Sequence, residues 1–281
     1  YITFRLLDFA DLTVDGSIAT GAAVSVMLIR AGVSPIATLP IAFLAGALAG
    51  MVTGLLNTAL GIPGILASIL TQISLYSINL NIMGKANQPV SVDNYPLVVS
   101  LRYVTDGSVS RLLFFLGMIV FLLALIAVMY WYFGTEQGHA IRATGCNSNM
   151  ARAQGINTNF IKVLALMISN GLVGLCGALY GQFQGASDVN MGRGAIVIGL
   201  AAVIIGEVLF GKFASKRKLA FAFTLASVIL GAVIYYMVYQ FVLWLKMPSE
   251  DMKLFSAIVV AIFLAIPYLK EKRTLRKGAS K

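Results

Sequence analysis

The chain has 281 residues, of which 59% are hydrophobic and only 11% charged, with a mean hydropathy of +0.87. Soluble domains carry about 25% charge, so this composition excludes one and assigns the chain to a bilayer. The net charge of +10 fits cationic loops retained on the inner side of a membrane and drawn to anionic head groups, and it calls for no nucleic-acid partner.

Tyr1–Leu7 is apolar and reads as the tail of a truncated N-terminal helix. Roughly 20 apolar residues cross a hydrocarbon core, and such windows follow at Ser17–Arg30, Pro35–Leu60, Ile62–Met83, Leu112–Phe133, Phe160–Phe183, Ala195–Phe210, Leu219–Leu245 and Leu254–Leu269. Barrel strands would alternate and be only about ten residues long. The expected fold is therefore all-α: a polytopic transmembrane helix bundle of about eight helices, forming a single transmembrane domain over residues 1–281.

The connections carry the polar chemistry. Asp8, Asp11, Thr13, Asp15 and Ser17 form a polar turn that enters a helix. Asp15 or Ser17 suits the N-cap, and the remaining groups, Asp11 and Thr13 among them, are candidates to line a translocation path. Gly84–Arg111, with Pro89 and Pro96, is the one long outer connection; it either docks an extracytoplasmic protein or is a variable loop. Gly134–Lys162 is a polar island between two apolar spans. Within it Glu136–Ala143 reads as a short helix closed by Gly145, and Asn147 or Ser148 caps a second helix through Ala153, closed by Gly155. Gln184–Gly194 places Asp188, Asn190 and Arg193 just before a helix start, where glycines permit irregular backbone at a pore mouth.

Small residues mark the helix seams. Gly46, Gly50 and Gly54, and then Gly174, Gly177 and Gly181, lie at spacings of three and four, so that neighbouring backbones can approach closely. Ionisable groups inside spans are costly and few. Glu207 stands near the cytoplasmic end of its helix, either paired with the basic turn that begins at Lys212 or placed on the pathway.

Orientation follows from Lys and Arg. With the C-terminus cytoplasmic, 14 of the 21 basic residues fall inside, including Arg142, Arg152, the turn Lys212–Lys218 and the basic tail 270–281. The polar island is then cytoplasmic. Cys146 and Cys176 are too few and too differently placed for a disulfide framework or a metal site. His139 is the sole histidine and stands apart from any carboxylate pair or Cys/His cluster, as a solvated side chain on a loop helix would. No GxxxxGK[ST] phosphate loop occurs, so nothing in the chain suggests that it binds a cofactor or hydrolyses a nucleotide. A secondary transporter driven by ions or protons would need a mid-helix ionisable relay, for which Glu207 is the main candidate.

The island core Gly138, Ala140, Ile141, Arg142, Ala143, Thr144 and Gly145, followed by Asn147, Ala151 and Gly155-Ile156-Asn157, resembles permease subunits of ABC importers in the branched-chain amino acid and ribose class. The small-residue helix Ser169–Gly177 and the segments Asp8–Ser17, Gly54–Lys85 and Ala186–Glu207 extend the resemblance over nearly the whole chain, toward a subgroup linked to amino acids, aromatic ones included. The sequence departs from that class where the N-terminal helix is largely absent, and His139 is not diagnostic of it. The resemblance implies a multi-pass subunit of the bacterial cell membrane that pairs with a second copy of itself. It also implies cytoplasmic ATPase subunits that hold ATP and Mg²⁺, and an extracytoplasmic substrate-binding protein. The coupling region would be residues 135–157, carried by Glu136, Gly138, His139, Ala140, Ile141, Arg142, Ala143, Gly145, Asn147, Ala151 and Gly155. Asp11, Thr13, Asp15, Asp188, Asn190 and Glu207 are the candidates for the path. A mostly apolar pathway suits several small solutes besides an amino acid.

Overall fold

A computed structural model describes residues 1–91, 94–95, 97–100, 111–214, 220–244, 258, 261 and 265, with backbone alone at 111–113, 211–214 and 242–243. After a π-helical turn at Ile2–Leu6 come α1 (Val14–Arg30), α2 (Pro35–Thr58), α3 (Gly64–Met83), α4 (Arg111–Phe133), α5 (Glu136–Cys146), α6 (Ser148–Ala153), α7 (Thr158–Gln184), α8 (Ala195–Ala214) and α9 (Ala220–Trp244). Among the described residues, five helices are long and apolar enough to cross a membrane: α2, α3, α7, Phe114–Phe133 of α4 and Ala220–Phe241 of α9. The apolar stretch Ala195–Phe210 of α8 is shorter. The expected all-α membrane architecture is present. The window at Leu254–Leu269, apart from residues 258, 261 and 265, lies outside the described residues, as does the tail 270–281.

The residues group into two compact units. The larger comprises Ile2–Leu125 and Trp131–Ala195; the smaller draws its described residues from Tyr1, Ile126–Tyr130 and the chain from Ile196 onward. In the larger unit α7 packs along α1 and α2, and small residues bring the backbones together. A Cβ at Gly21 would stand 1.9 Å from the carbonyl oxygen of Gly174, and one at Gly46 would stand 2.2 Å from that of Asn170. Lipid supplies no hydrophobic drive between helices, so such close approach and buried hydrogen bonds hold the seam. The glycine spacing read from the sequence is this seam. The smaller unit repeats the device: Gly206 and Gly231 lie against the carbonyls of Ser227 and Ala202, beside a cluster of Ala201, Ile205 and Tyr235.

Buried side-chain hydrogen bonds staple the larger unit at two levels. At one, the Gln182 amide on α7 donates to the Ser25 hydroxyl (3.1 Å) and the Pro35 carbonyl (3.3 Å), and its oxygen accepts from the Val98 N–H (3.0 Å). At the other, Asp11, Thr13, Ser17, Thr53, Thr71 and Asn170 form the network described below. α1 is a core helix: it has 17 residues and is studded with Ser, Thr and Gly, and Ser17, Thr20 and Ser25 are all buried.

Three local expectations are corrected. Thr13, and neither Asp15 nor Ser17, holds the N-cap position of α1, and its side chain makes no capping bond. Asp15 sits in the first turn, where its charge complements the helix dipole, and the Ser17 hydroxyl is spent on Asn170. Gly145 does not close its helix; α5 runs through it to Cys146. Gly145 is required instead by a close approach, because a Cβ there would lie 1.9 Å from the Leu6 carbonyl oxygen. Finally, two short strands, β1 (Asn87–Pro89) and β2 (Ala186–Asp188), pair antiparallel with Asn87 opposite Asp188 and Gln88 opposite Ser187. They join the two connections read as outer loops. The Arg30 guanidinium donates to the Gln88 side-chain oxygen beside them.

Candidate functional site

Of the path candidates, Asp11 and Thr13 meet inside the larger unit. Asp11 is 4% exposed. One of its oxygens accepts the Thr13 N–H (2.9 Å) and the other accepts the Asn170 amide (2.7 Å), while Asn170 in turn accepts the Ser17 hydroxyl (2.7 Å). The Thr13 hydroxyl lies 2.8 Å from that of Thr53, which donates to the Thr71 hydroxyl at 3.0 Å. The network ties the entry to α1 to α2, α3 and α7. Its members satisfy one another, which makes it a rigid polar girdle within the bundle.

Asp15 and Asn190 meet elsewhere, around a cavity of about 310 Å³ between α1, α3 and the segment after β2. Val189 packs with Ala23 and Met83. Gly192 comes so close to Asp15 that a Cβ would stand 1.9 Å from its carbonyl oxygen, and the Gly194 N–H donates to the Asp15 carboxylate at 3.0 Å. The eight residues from Ala23 to Asp15 span about 12 Å of helix at 1.5 Å per residue, so Val189–Gly194 descends that far along α1. The irregular backbone foreseen here reaches into the bundle. α3 supplies the facing wall with Gln72, Ile73, Tyr76, Ser77 and Asn79, and Arg193 completes the lining. Asp188 stands apart from this wall. Its carboxylate accepts the Asn190 N–H (2.7 Å) and faces the Asn87 amide (3.5 Å), closing the turn after β2. Glu207 belongs to α8 in the smaller unit, and the Lys212 side chain expected to pair with it lies outside the described residues.

The polar island forms the second feature. Thr135 caps α5 by accepting the Gly138 N–H (3.5 Å), and its hydroxyl donates to the Tyr132 carbonyl (2.6 Å). Asn147 caps α6, its side-chain oxygen accepting the N–H groups of Asn149 (3.1 Å) and Met150 (3.0 Å). Gly155, with φ +85, follows α6 in the left-handed conformation that favours glycine. Arg152 donates to the Thr158 hydroxyl at 3.1 Å, and Asn157 caps α7. Gly138, Ile141, Thr144 and Ala151 face inward. The Arg142 guanidinium lies over the Phe133 ring at 5.8 Å from its centroid, so Arg142 anchors the island. Glu136, His139, Asn147 and Met150 form the exposed side, while Ala140 and Ala143 are half-buried. Met150, 63% exposed, is the large apolar group on that side.

Sequence reasoning passed over Asn79, Asn170, Gln182 and Met150. The first three had a signal, since each is an amide within an apolar span. Which of them would be paired was not encoded in their local sequence. Met150 offered no signal before α6 was seen to project it.

Among the described residues, no group of three His, Cys, Asp or Glu is placed to hold a metal. A membrane helix bundle with a satisfied polar girdle, a polar cavity and a capped projection suits a membrane transport subunit. Residues 1–267 match the family described as "Branched-chain amino acid transport system / permease component", and the chain belongs to this family of ABC-importer permeases. It is 40% identical over 265 residues to the "Tyrosine transport system permease protein" of Clostridioides difficile (strain R20291), covering 94% of this chain and 84% of that one. It is 26% identical over 210 residues to the "Inner membrane ABC transporter permease protein YjfF" of Escherichia coli (strain K12), covering 74% and 62%. The "Autoinducer 2 import system permease protein LsrC" of Yersinia pseudotuberculosis (serotype O:3, strain YPIII) is 28% identical over 238 residues, covering 83% and 62%. No solved structure matches. The chain is thus a multi-pass permease subunit for small solutes in a bacterial membrane, and its family is one of transport proteins, not enzymes.

Proposed function

We propose that this chain forms, with a second copy of itself, the membrane pathway of an ATP-driven importer for an amino acid, with tyrosine and its aromatic relatives as the first candidates. The relative named for tyrosine transport supports that choice of solute. ATP and Mg²⁺ reside on separate cytoplasmic ATPase subunits, and an extracytoplasmic binding protein delivers the substrate. The C-terminus lies in the cytoplasm, as the basic residues suggest.

The observation that carries this reading is the double-capped island. α5 and α6 each carry a side-chain N-cap, from Thr135 and Asn147, and are clamped through Arg142 on Phe133 and Gly145 on Leu6. A projection that rigid moves as a body when a partner pushes it, and it passes the displacement to α4 and α7, between which it is strung. Nucleotide-driven movement of the ATPase then biases the permease between two arrangements by differential binding alone. The exposed side bearing Glu136, His139, Asn147 and Met150 is the docking surface.

The test is reconstitution of the permease with the ATPase and binding protein encoded beside it, followed by uptake of radiolabelled L-tyrosine into proteoliposomes. ATP-dependent accumulation is expected. Accumulation that needs an ion gradient and ignores ATP would replace this reading with a secondary transporter.

A further inference from the structure

Asn79 on α3 breaks the pattern of the larger unit. Its side chain is fully buried, yet among the described residues neither its amide nitrogen nor its carbonyl oxygen has a hydrogen-bond partner. Asn170 and Gln182, the other buried amides on these helices, are each bonded through both ends. An amide without a partner is costly to bury, and more so in a helix that crosses a membrane. Asn79 is among the residues around the cavity of about 310 Å³. That volume lies at the small end of the range of about 300–1,000 Å³ for small-molecule pockets.

The walls identify the kind of ligand. Asp15 brings a carboxylate, held in place by the Gly194 N–H. Arg193, one residue earlier on the descending segment, brings a guanidinium suited to a ligand carboxylate. Asn79 offers a donor and an acceptor together. A simple cation would leave Arg193 unanswered and a simple anion would meet Asp15 unfavourably. A ligand with both signs a few atoms apart answers all three groups, and the Tyr76 and Ile73 side chains offer an apolar surface for the remainder.

We propose that this cavity is a binding site in the permease itself for the zwitterionic head of an α-amino acid, with Arg193 on the carboxylate, Asp15 on the ammonium and Asn79 bridging them. The inference rests on the reading of this chain as an amino acid importer and adds to it a site that selects the substrate after its release from the binding protein. Val189–Gly194, coming down beside α1, brings Arg193 to that depth.

The full chain is reconstituted in nanodiscs and its thermal unfolding followed with L-tyrosine, with tyramine, which lacks the carboxylate, and with 3-(4-hydroxyphenyl)propionate, which lacks the amine. L-Tyrosine raises the melting temperature and the two analogues do not. Asn79→Leu keeps the number and branching of the side-chain heavy atoms but removes the unpaired amide, so it melts no lower than the parent without ligand and loses the shift. Arg193→Gln, at an exposed position, folds normally and loses it too. In the assembled importer both variants raise the KM for L-tyrosine by about tenfold, as expected for a lost polar contact to ligand. The proposal is overturned if all three compounds stabilise equally, if the shift survives in both variants, or if neither L-tyrosine, L-leucine nor glycine shifts the parent, in which case water alone serves Asn79. Parallel uptake assays separate the two readings. ATP-driven uptake with both variants at parental KM removes the site and leaves the importer; zwitterion-specific shifts without ATP-driven uptake do the reverse.

Discussion

Asn170, on α7, donates from its amide to the Asp11 carboxylate at 2.7 Å and accepts the Ser17 hydroxyl at 2.7 Å. One side chain thereby holds both the irregular entry to α1 and the helix itself. These residues stand 159 and 153 positions apart in sequence, so the girdle forms only when α1 and α7 are already packed.

Asn170→Leu leaves an Asp11 oxygen and the Ser17 hydroxyl buried without partners, and should cost about 1–3 kcal/mol. Unfolding of the full chain in detergent would show it as a lowered melting temperature. Adding Ser17→Ala should recover part of the loss, since the hydroxyl left without an acceptor is then removed. A single variant as stable as the parent would mean that the girdle contributes nothing.

Gly21→Ala and Gly117→Ala make the same chemical change with opposite expected signs. The new Cβ at Gly21 meets the Gly174 carbonyl at 1.9 Å, whereas among the described residues nothing lies within 4 Å of one at Gly117. Gly21→Ala should force α1 from α7 and cost about 1–3 kcal/mol or more through overpacking. Gly117→Ala should gain about 0.5–1 kcal/mol from helix propensity. Equal melting temperatures for the two would refute the seam.

At the island, Met150→Asp changes an exposed side chain and should leave the permease folded while weakening capture of the ATPase in pull-downs. Asn147→Ala removes the cap on two N–H groups at a cost of about 1 kcal/mol to α6, seen as faster hydrogen exchange of the Asn149 and Met150 amides, and should lower ATPase stimulation. Full capture and stimulation in both variants would exclude the island as the docking surface.

Cys146 is exposed on the island and serves as a native topology probe. In a Cys176→Ser background, a membrane-impermeant maleimide should label it in inside-out vesicles and not in intact cells, while Asn87→Cys should be labelled from outside. The reversed pattern would invert the orientation.

The sequence by itself determined the membrane class, most of the span boundaries and the two capped turns of the island, because hydropathy runs and the Asn147 cap are local along the chain. It also exposed the glycine seam through its spacing. It misassigned Gly145, since a glycine near a helix end suits a cap and a close contact equally, and only the nearness of the Leu6 carbonyl separates them. β1 and β2 were illegible because three-residue strands about a hundred positions apart carry no periodicity of their own. Within nearly uniform apolar helices, no pattern says which way a side chain faces. Asn79, Asn170 and Gln182 therefore read alike in sequence. Tertiary packing alone paired two of them and left Asn79 buried against a cavity beside Asp15 and Arg193, because a hydrogen-bond partner is supplied by whichever helix lies opposite.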